Sequence, residues 1–552
     1  MNLIPWILLL LLIAIQCATT PALMKRSGLT FKLPGFIPIL HFLPMLKIIG
    51  RPWYWFLLLL VPGVNLIMLV IVNVEIGIVF NQRSTGAQWK FGAFSWYALY
   101  ELAFKKKEEK YVGARSWKDK KKSWGREWGE AILFAVVAAS IIRSFTFEAF
   151  TIPTPSMEAS MKVGDYLFVD KFTYGTRLPM TPVSIPFFHN AIPGGLSNSY
   201  LDWFSLPYMR TPGFGKVERY DPVVFNFPAG DTVLVHPVYV GHNYYQFLRY
   251  ESMFEAGSLE VYLTNKSLYE AKARNNFNKK LICKSCNPEE GITKIQGTRF
   301  RPLDKKEMYI KRCIGLPGEE LKIINSDVYI NGSPIENKAG MMWKYIIPNK
   351  WASNVQKTLN KLNDEVRTYN QTSCEIPLTS EEAEKIKSQF PELMNIQKSI
   401  DSLSTSNRNP LTSLDIYPSS LEYPFSSWTV DNFGPLTIPS EGMTIEMSHD
   451  AFVRYGRVID VYEGNSIQEK DGKIFINGQE AGTYTFKQNY YFMMGDNRHN
   501  SMDSRYWGFV PEDHIVGKAV FTWFSKENYE YHKNKDWWWN QIRWDRIFRL
   551  VD

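Results

Sequence analysis

Residues 471–480 read DGKIFINGQE, and residues 326–335 read SDVYINGSPI. In both, a short run alternates apolar and polar residues and ends on Asn-Gly, at Asn477-Gly478 and Asn331-Gly332. A period of two puts every second side chain on one face of a strand, and Asn-Gly tolerates the positive φ that a tight hairpin turn demands. The two segments look like two versions of one β-hairpin. Similar runs recur from about Phe145 onward: DYLFVDKF (165–172), PVVFNF (222–227) and EMYIKRCI (307–314). The body of the chain is expected to be mainly β.

Two stretches break this pattern. Residues 351–367 and 380–403 are more helical and highly charged, and the second opens with the capping-box pattern Thr379-Ser380-Glu381-Glu382. Residues 402–413 are rich in Ser, Thr and Asn and read as a loop. Residues 338–423 are therefore expected to be an inserted lobe, helical or irregular, with no chemistry visible in it.

Toward the N-terminus the character changes again. Of the 552 residues, 45% are hydrophobic and 21% charged, which excludes a disordered or collagen-like chain. Mean hydropathy is −0.22, too polar for a many-span transporter, yet the apolar residues crowd the N-terminus. Residues 1–24 carry no charge and Lys25 and Arg26 follow at once. A cleaved signal peptide is the competing reading, but the positive n-region is missing. A second uncharged run, 52–74, is interrupted by VPGVN at 61–65, which means a kinked single span or a re-entrant hairpin. A third apolar segment, 131–142, lies between Glu130 and Arg143. Between Lys105 and Arg126, ten basic and three acidic residues give a local charge of +7. With apolar segments on both sides, this reads as a positive-inside cytoplasmic loop and not as a nucleic-acid surface. The expected organisation is a membrane region (1–104, with apolar segments 1–24 and 52–80), a basic loop (105–128) and an anchor helix (129–147). A β body follows in two parts, 148–337 and 424–552, around the inserted lobe.

Four segments carry the chemistry: FTIPTPSMEASMKVGDYLFVDKFTYG (150–175), VERYDPVVFNFP (217–228), YIKRCIGLPGEEL (309–321) and GDNRHNSMDSRYWGFVPEDHIVGKA (495–519). In type and order they resemble the boxes of bacterial type I signal peptidases, or leader peptidases, a family of Ser–Lys dyad serine proteases. The resemblance implies an antiparallel β-sheet catalytic domain of signal-peptidase type behind transmembrane helices. It places the nucleophile at Ser156 and the general base at Lys311. It implies that Thr154, with the N–H of Ser156, stabilises the oxyanion, and that Ser501 orients the lysine amine. It also implies that Asp503 and Arg505 form an ion pair behind the site and that Arg312 and Asp496 support it. No cofactor or metal is implied. The implied partners are secretory preproteins, cut after small residues of the Ala-X-Ala type, together with the lipid bilayer and the protein-export translocon. The implied location is a bacterial plasma (inner) membrane, multi-pass, with the catalytic domain on the extracytoplasmic, periplasmic side.

Physical chemistry adds demands of its own. An ordinary lysine has a pKa of ~10.4 and is almost never neutral at pH 7, whereas a base should sit near ~7–8, a shift usually obtained by burial. The apolar neighbours Ile310, Ile314 and Leu316 suit that, and strand alternation puts Lys311 and Cys313 on one face with Ile310, Arg312 and Ile314 on the other. Ser156 follows Phe147 by nine residues. At ~3.3–3.6 Å per residue it lies within about 30 Å of a membrane exit there, the height at which a preprotein's cleavage site emerges. Trp507, Trp523, Trp537, Trp538 and Trp539 are candidates for seating the body on the interface or for core packing.

Three residues depart from the family pattern. Tyr220 stands where glycine is usual, Met502 where a small residue is frequent near the substrate pocket, and His499, read as surface variation, where an acidic residue is usual. Cys283-Lys284-Ser285-Cys286 is a lone CxxC, better suited to a local disulfide than to zinc, with Cys313 and Cys374 left over. The eight histidines show no paired ligand spacing, and there is no Walker A loop. Two rival readings are a silent receptor that binds signal peptides without cutting them and a specialised dyad peptidase with a single substrate.

Overall fold

The computed structural model describes residues 4–31, 35–113, 124–185, 188, 198–201, 205–228, 232–234, 244–278, 298–359, 366–401, 414–527 and 538–551. They form two units, Met1–Phe147 with Arg177–Arg210, and Glu148–Thr176 with Thr211–Asp552. Residues 177–210, read from sequence as part of the β body, thus group with the N-terminal unit. One tie is the Asn65 side-chain amide, which donates to the Pro182 carbonyl at 2.7 Å.

The N-terminal unit is helical. Helices Ile4–Ser27 and Trp124–Phe145 contain stretches, Leu9–Ser27 and Glu127–Phe145, long and apolar enough to cross a bilayer. The second apolar run is broken where its Pro-Gly pair predicts. A 3₁₀ helix, Trp53–Leu60, stops before Gly63, which has φ +77°, and helix Val64–Val79 starts after it. Leu23, Met45, Val64, Val72, Ile76 and Leu99 pack one apolar core in this unit.

The second unit is built on an antiparallel sheet of eight strands. These are β1 (Phe147–Thr151), β2 (Asp165–Asp170), β3 (Pro222–Asn226), β4 (Met308–Gly315), β5 (Tyr490–Met494), β6 (Val510–Pro511), β7 (Ile515–Ser525) and β8 (Arg549–Leu550). Their order is β1-β2-β7-β3-β4-β5-β6, with β8 paired to β7. Strand β4 is central: Val223 of β3 faces Lys311 on one side, and Met494 of β5 faces Arg312 on the other. Both of its faces are covered. Tyr309 and Cys313 pack with Phe225, Met493 and Trp507, while Ile310 packs with Met157, Leu167 and Val224.

A second core, containing Leu321, Ile323, Val328, Trp343, Ile376 and Phe433, carries the smaller sheets. Here the two predicted hairpins are present. Asp327–Ile330 pairs with Ser333–Pro334, and Lys473–Ile476 with Gln479–Glu480. Their turns match closely: φ is +50° and +79° at Asn331-Gly332, and +52° and +80° at Asn477-Gly478. Each asparagine Oδ1 also accepts a backbone N–H eleven residues upstream, from Glu320 and from Ser466.

The inserted lobe differs from its sequence reading. Helices Asn349–Leu359 and Ser380–Gln389 are present, and the Thr379/Glu382 capping box is formed. They accompany, however, a four-stranded sheet in which Met342–Pro348 pairs with Ser373–Thr379 over its full length. Cys374, Ile376 and Leu378 alternate inward and join the same core as Leu321 and Phe433, so the described residues of the lobe share that core. Cys17, Cys313 and Cys374 are free and buried, and Cys283 and Cys286 lie outside the described residues, as does Trp537.

Candidate active site

Ser156 sits in a 3₁₀ turn, Pro155–Met157, between β1 and β2. Pro155 fixes φ at the first position, and Met157 and Met161, both fully buried, anchor the turn under β2. Full burial of one such side chain contributes ~1.5–3 kcal/mol, enough to hold a short turn in place. Asn497 clamps it from the other side. Its N–H donates to the Ser156 carbonyl at 3.1 Å and its side-chain amide to the Pro155 carbonyl at 3.3 Å.

Lys311 reaches this turn from the middle of the sheet. Its Nζ lies 2.8 Å from Ser156 Oγ and 2.9 Å from the Ile310 carbonyl, with 3% of the residue exposed. Burial pushes the amine down to about 8, with Asp503 and Asp496 opposing the shift. In the neutral form the nitrogen presents a lone pair, and the serine hydroxyl can donate to it. Thr154 is exposed, with Oγ1 3.5 Å from Ser156 Oγ.

Behind the pair stand two buried ion pairs. Arg312 donates to Asp496 through Nε at 2.8 Å and Nη2 at 2.7 Å, and its Nη1 donates to the Tyr220 carbonyl at 2.7 Å. Arg505 donates to Asp503 at 2.9 Å and 2.8 Å, and its Nη2 also donates to the Arg498 carbonyl at 2.6 Å. Asp503 in turn accepts the Gly495 N–H at 3.1 Å. Against its burial, Arg505 holds the Asp503 carboxyl below the usual range. Gly495 has no room for a side chain: a Cβ there would lie 2.2 Å from Ser501 Oγ and 2.6 Å from the Ser156 carbonyl oxygen. Ser501 is thus beside the Ser156 turn, but its hydroxyl has no hydrogen-bond partner among the described residues. The bond to Lys311 that the family resemblance implies is not formed in this geometry.

A buried lysine within hydrogen-bond reach of a serine on a pinned turn has the form of a nucleophile with its base. The comparisons give the family. The model of a family described as "Signal peptidase, peptidase S26" matches residues 125–384 and 442–524. The chain belongs to the signal peptidase family. Residues 33–114 match a second family, DUF5684, described as of unknown function. Over 418 residues the peptidase is 22% identical to Signal peptidase I of Buchnera aphidicola subsp. Baizongia pistaciae (strain Bp), covering 75% of this chain and 79% of that protein. It is 52% identical over 65 residues to Signal peptidase I of Buchnera aphidicola subsp. Acyrthosiphon pisum (strain APS), covering 12% of this chain and 19% of the relative. To thylakoidal processing peptidase 1, chloroplastic, of Arabidopsis thaliana it is 33% identical over 90 residues, 14% of this chain and 26% of that one. It is a signal peptidase I enzyme, a serine protease.

The three departures from the family pattern fall into place differently. Tyr220 adopts φ +72°, a conformation glycine takes freely, and is held there by its N–H to the Cys313 carbonyl and its hydroxyl to the Glu336 carbonyl, both 2.7 Å. Met502 is half-exposed and lines a cavity of about 840 Å³ with Phe227, Tyr506 and Trp507. The surface reading of His499 is corrected, since only 7% of its side chain is exposed. Its Nε2 lies 2.7 Å from Asp431 Oδ1, and its Nδ1 accepts the Lys344 N–H at 3.1 Å. Sequence reasoning also passed over Asn497 and Gly495, although both stand in the quoted Gly-Asp-Asn-Arg segment. Of the tryptophans, Trp507 is buried, while Trp523 and Trp539 are exposed.

Proposed function

We propose that this peptidase cuts N-terminal signal peptides from exported preproteins after small residues of the Ala-X-Ala type, with Ser156 as nucleophile and Lys311 as general base. The observation that carries the reading is the 2.8 Å approach of a buried lysine amine to Ser156 Oγ. Neutral Lys311 accepts the hydroxyl proton as Oγ attacks the carbonyl carbon at the cut. The Ser156 N–H and the Thr154 hydroxyl are the donors for the developing oxyanion. The lysine ammonium then gives its proton to the leaving amine, and the ester left on Ser156 is hydrolysed by a water whose proton Lys311 takes in turn.

The chain works at a membrane in this reading. The Leu9–Ser27 and Glu127–Phe145 stretches are the spans, the basic run 105–126 stays in the cytoplasm, and the β body faces outward across a bacterial plasma membrane. Trp523, Trp539, Trp544 and Phe548 are exposed aromatics suited to the headgroup region, and the export translocon is the neighbour that delivers substrate.

The test is cleavage of a preprotein carrying Ala-X-Ala before its junction by the purified protein in detergent, beside Ser156→Ala, Lys311→Met and Lys311→Arg. A cut after the last alanine, absent in all three variants, supports the reading; the arginine fails because guanidinium supplies no neutral base. Full activity in any of them overturns the dyad. Substrate bound but uncut by the unaltered protein points to a silent receptor.

A further inference from the structure

His499 is two residues from Ser501 in the segment that holds the nucleophile turn, and its ring is tied to two distant parts of the chain. Backbone bonds zip this segment to the first strand of the inserted lobe: the Met342 N–H donates to the Asp496 carbonyl at 2.8 Å, and the Arg498 N–H to the Met342 carbonyl at 2.9 Å. The next donor along such a parallel ladder is the Lys344 N–H, which ordinarily meets the Arg498 carbonyl. That carbonyl accepts from Arg505 Nη2 at 2.6 Å, and the Lys344 N–H goes instead to His499 Nδ1 at 3.1 Å. An accepting Nδ1 assigns the ring proton to Nε2, which donates to Asp431 Oδ1 at 2.7 Å.

Asp431 is a junction in its own right. Its carboxylate accepts from Ser326 Oγ at 2.5 Å and from the Asp401 N–H at 2.8 Å, while the neighbouring Val430 carbonyl accepts from Arg505 Nη1 at 3.3 Å. The loop carrying it gathers the first hairpin, the exit of the lobe and the catalytic segment at one point. From there the path to the nucleophile is short, through Asn497 on the Ser156 carbonyl and Gly495 against the same oxygen.

We infer that His499, acting with Asp431, is a positioning residue that couples the inserted lobe to the nucleophile turn by accepting from Lys344 N–H on one ring nitrogen and donating to Asp431 from the other. Its partners lie 155 and 68 residues away in sequence, so the ring sets the height of the catalytic segment against both. Loss of the ring lets that segment, and with it Asn497, relax away from Ser156. A displacement of about 1 Å costs on the order of 10²-fold in rate. The inference rests on Ser156 being the nucleophile, and the experiment separates the two.

Steady-state cleavage of the Ala-X-Ala preprotein is measured for the full-length protein, His499→Ala and His499→Gln, well below the thermal midpoint of each. Glutamine can accept with its carbonyl and donate with its amide, so it offers an acceptor and a donor in place of the two ring nitrogens. The expected result is a kcat reduced on the order of 10²-fold in His499→Ala with KM little changed, and recovery to within about tenfold in His499→Gln. A His499→Ala variant within twofold of the unaltered kcat overturns the inference. So does a His499→Gln variant as slow as the alanine one, or a change confined to the thermal midpoint or to KM. Absence of cleavage by the unaltered protein overturns the reaction itself and is read separately from these outcomes.

Discussion

Lys311 is placed where a charged amine is unwelcome and a neutral one is useful. Burial lowers its pKa from 10.5 to about 8. Below that value the base protonates, so kcat/KM is expected to fall about tenfold per pH unit on the acid side, with the inflection near pH 8. A flat profile between pH 6 and 8 would remove Lys311 as the titrating base. The same shift has a thermodynamic side. The unfolded chain binds a proton between pH 8 and 10.5 that the folded chain does not, so this group adds stability as pH rises through that window and costs about 3 kcal/mol below it. Lys311→Met, expected to be inactive in cleavage, should therefore be more stable at pH 7 by up to about 3 kcal/mol in denaturant melts, with the gain vanishing above pH 10.5. Thr154→Ala is expected to lose ~10²–10³ in kcat and Thr154→Ser to keep most of it. Equal activity of the two would take Thr154 out of the oxyanion site. That Ser156 and Lys311 come together could be anticipated from the sequence because each stands in a long, ordered pattern. His499 was not, since a histidine among Asn and Arg looks solvated until the residues that enclose it are known.

At the scale of elements, β4 explains why Lys311 and Arg312 are both buried: a central strand with both faces covered has no solvent side to offer. Arg312 is acceptable there only with Asp496. Asp496→Asn leaves a buried guanidinium without its counter-charge and is expected to cost ~3–5 kcal/mol in thermal or chemical unfolding, whereas Arg312→Met combined with Asp496→Leu should recover much of it. Equal damage by the single and double changes would locate the cost elsewhere. The hairpins at Asn331-Gly332 and Asn477-Gly478 could be read from sequence because their turn chemistry is local. The strand Met342–Pro348 could not. Its outward positions carry Lys344, and its full-length partner, Ser373–Thr379, falls in the gap between two stretches whose charges suggested helix, so its alternation shows only once Cys374, Ile376 and Leu378 are seen to face the same core.

At the scale of the whole molecule, two helices long and apolar enough to cross a bilayer flank a strongly basic run. The proposed topology puts that run and the β body on opposite sides of the membrane. In a chain with its native cysteines replaced by serine, a cysteine at Ser466 should react with an impermeant maleimide in intact spheroplasts, and one at Ser116 only after the membrane is opened. The reverse pattern would invert the topology. The division of the chain was partly legible. Apolar length and loop charge marked the N-terminal unit, but nothing local to residues 177–210 signals that they pack with it, because the tie through Asn65 spans 117 positions.

The burial of Lys311 also makes the enzyme's competence conditional on its own folding. With pKa values of about 8 in the folded chain and 10.5 for a free lysine, the neutral amine is about 300-fold scarcer at neutral pH before the sheet closes over it. With Lys311 as the proposed base, a protease that carries apolar segments of its own, and is made beside other nascent chains that carry them, gains its full reactivity only on folding. On that reading its reactivity comes with the closing of the neighbouring strands on both sides of β4.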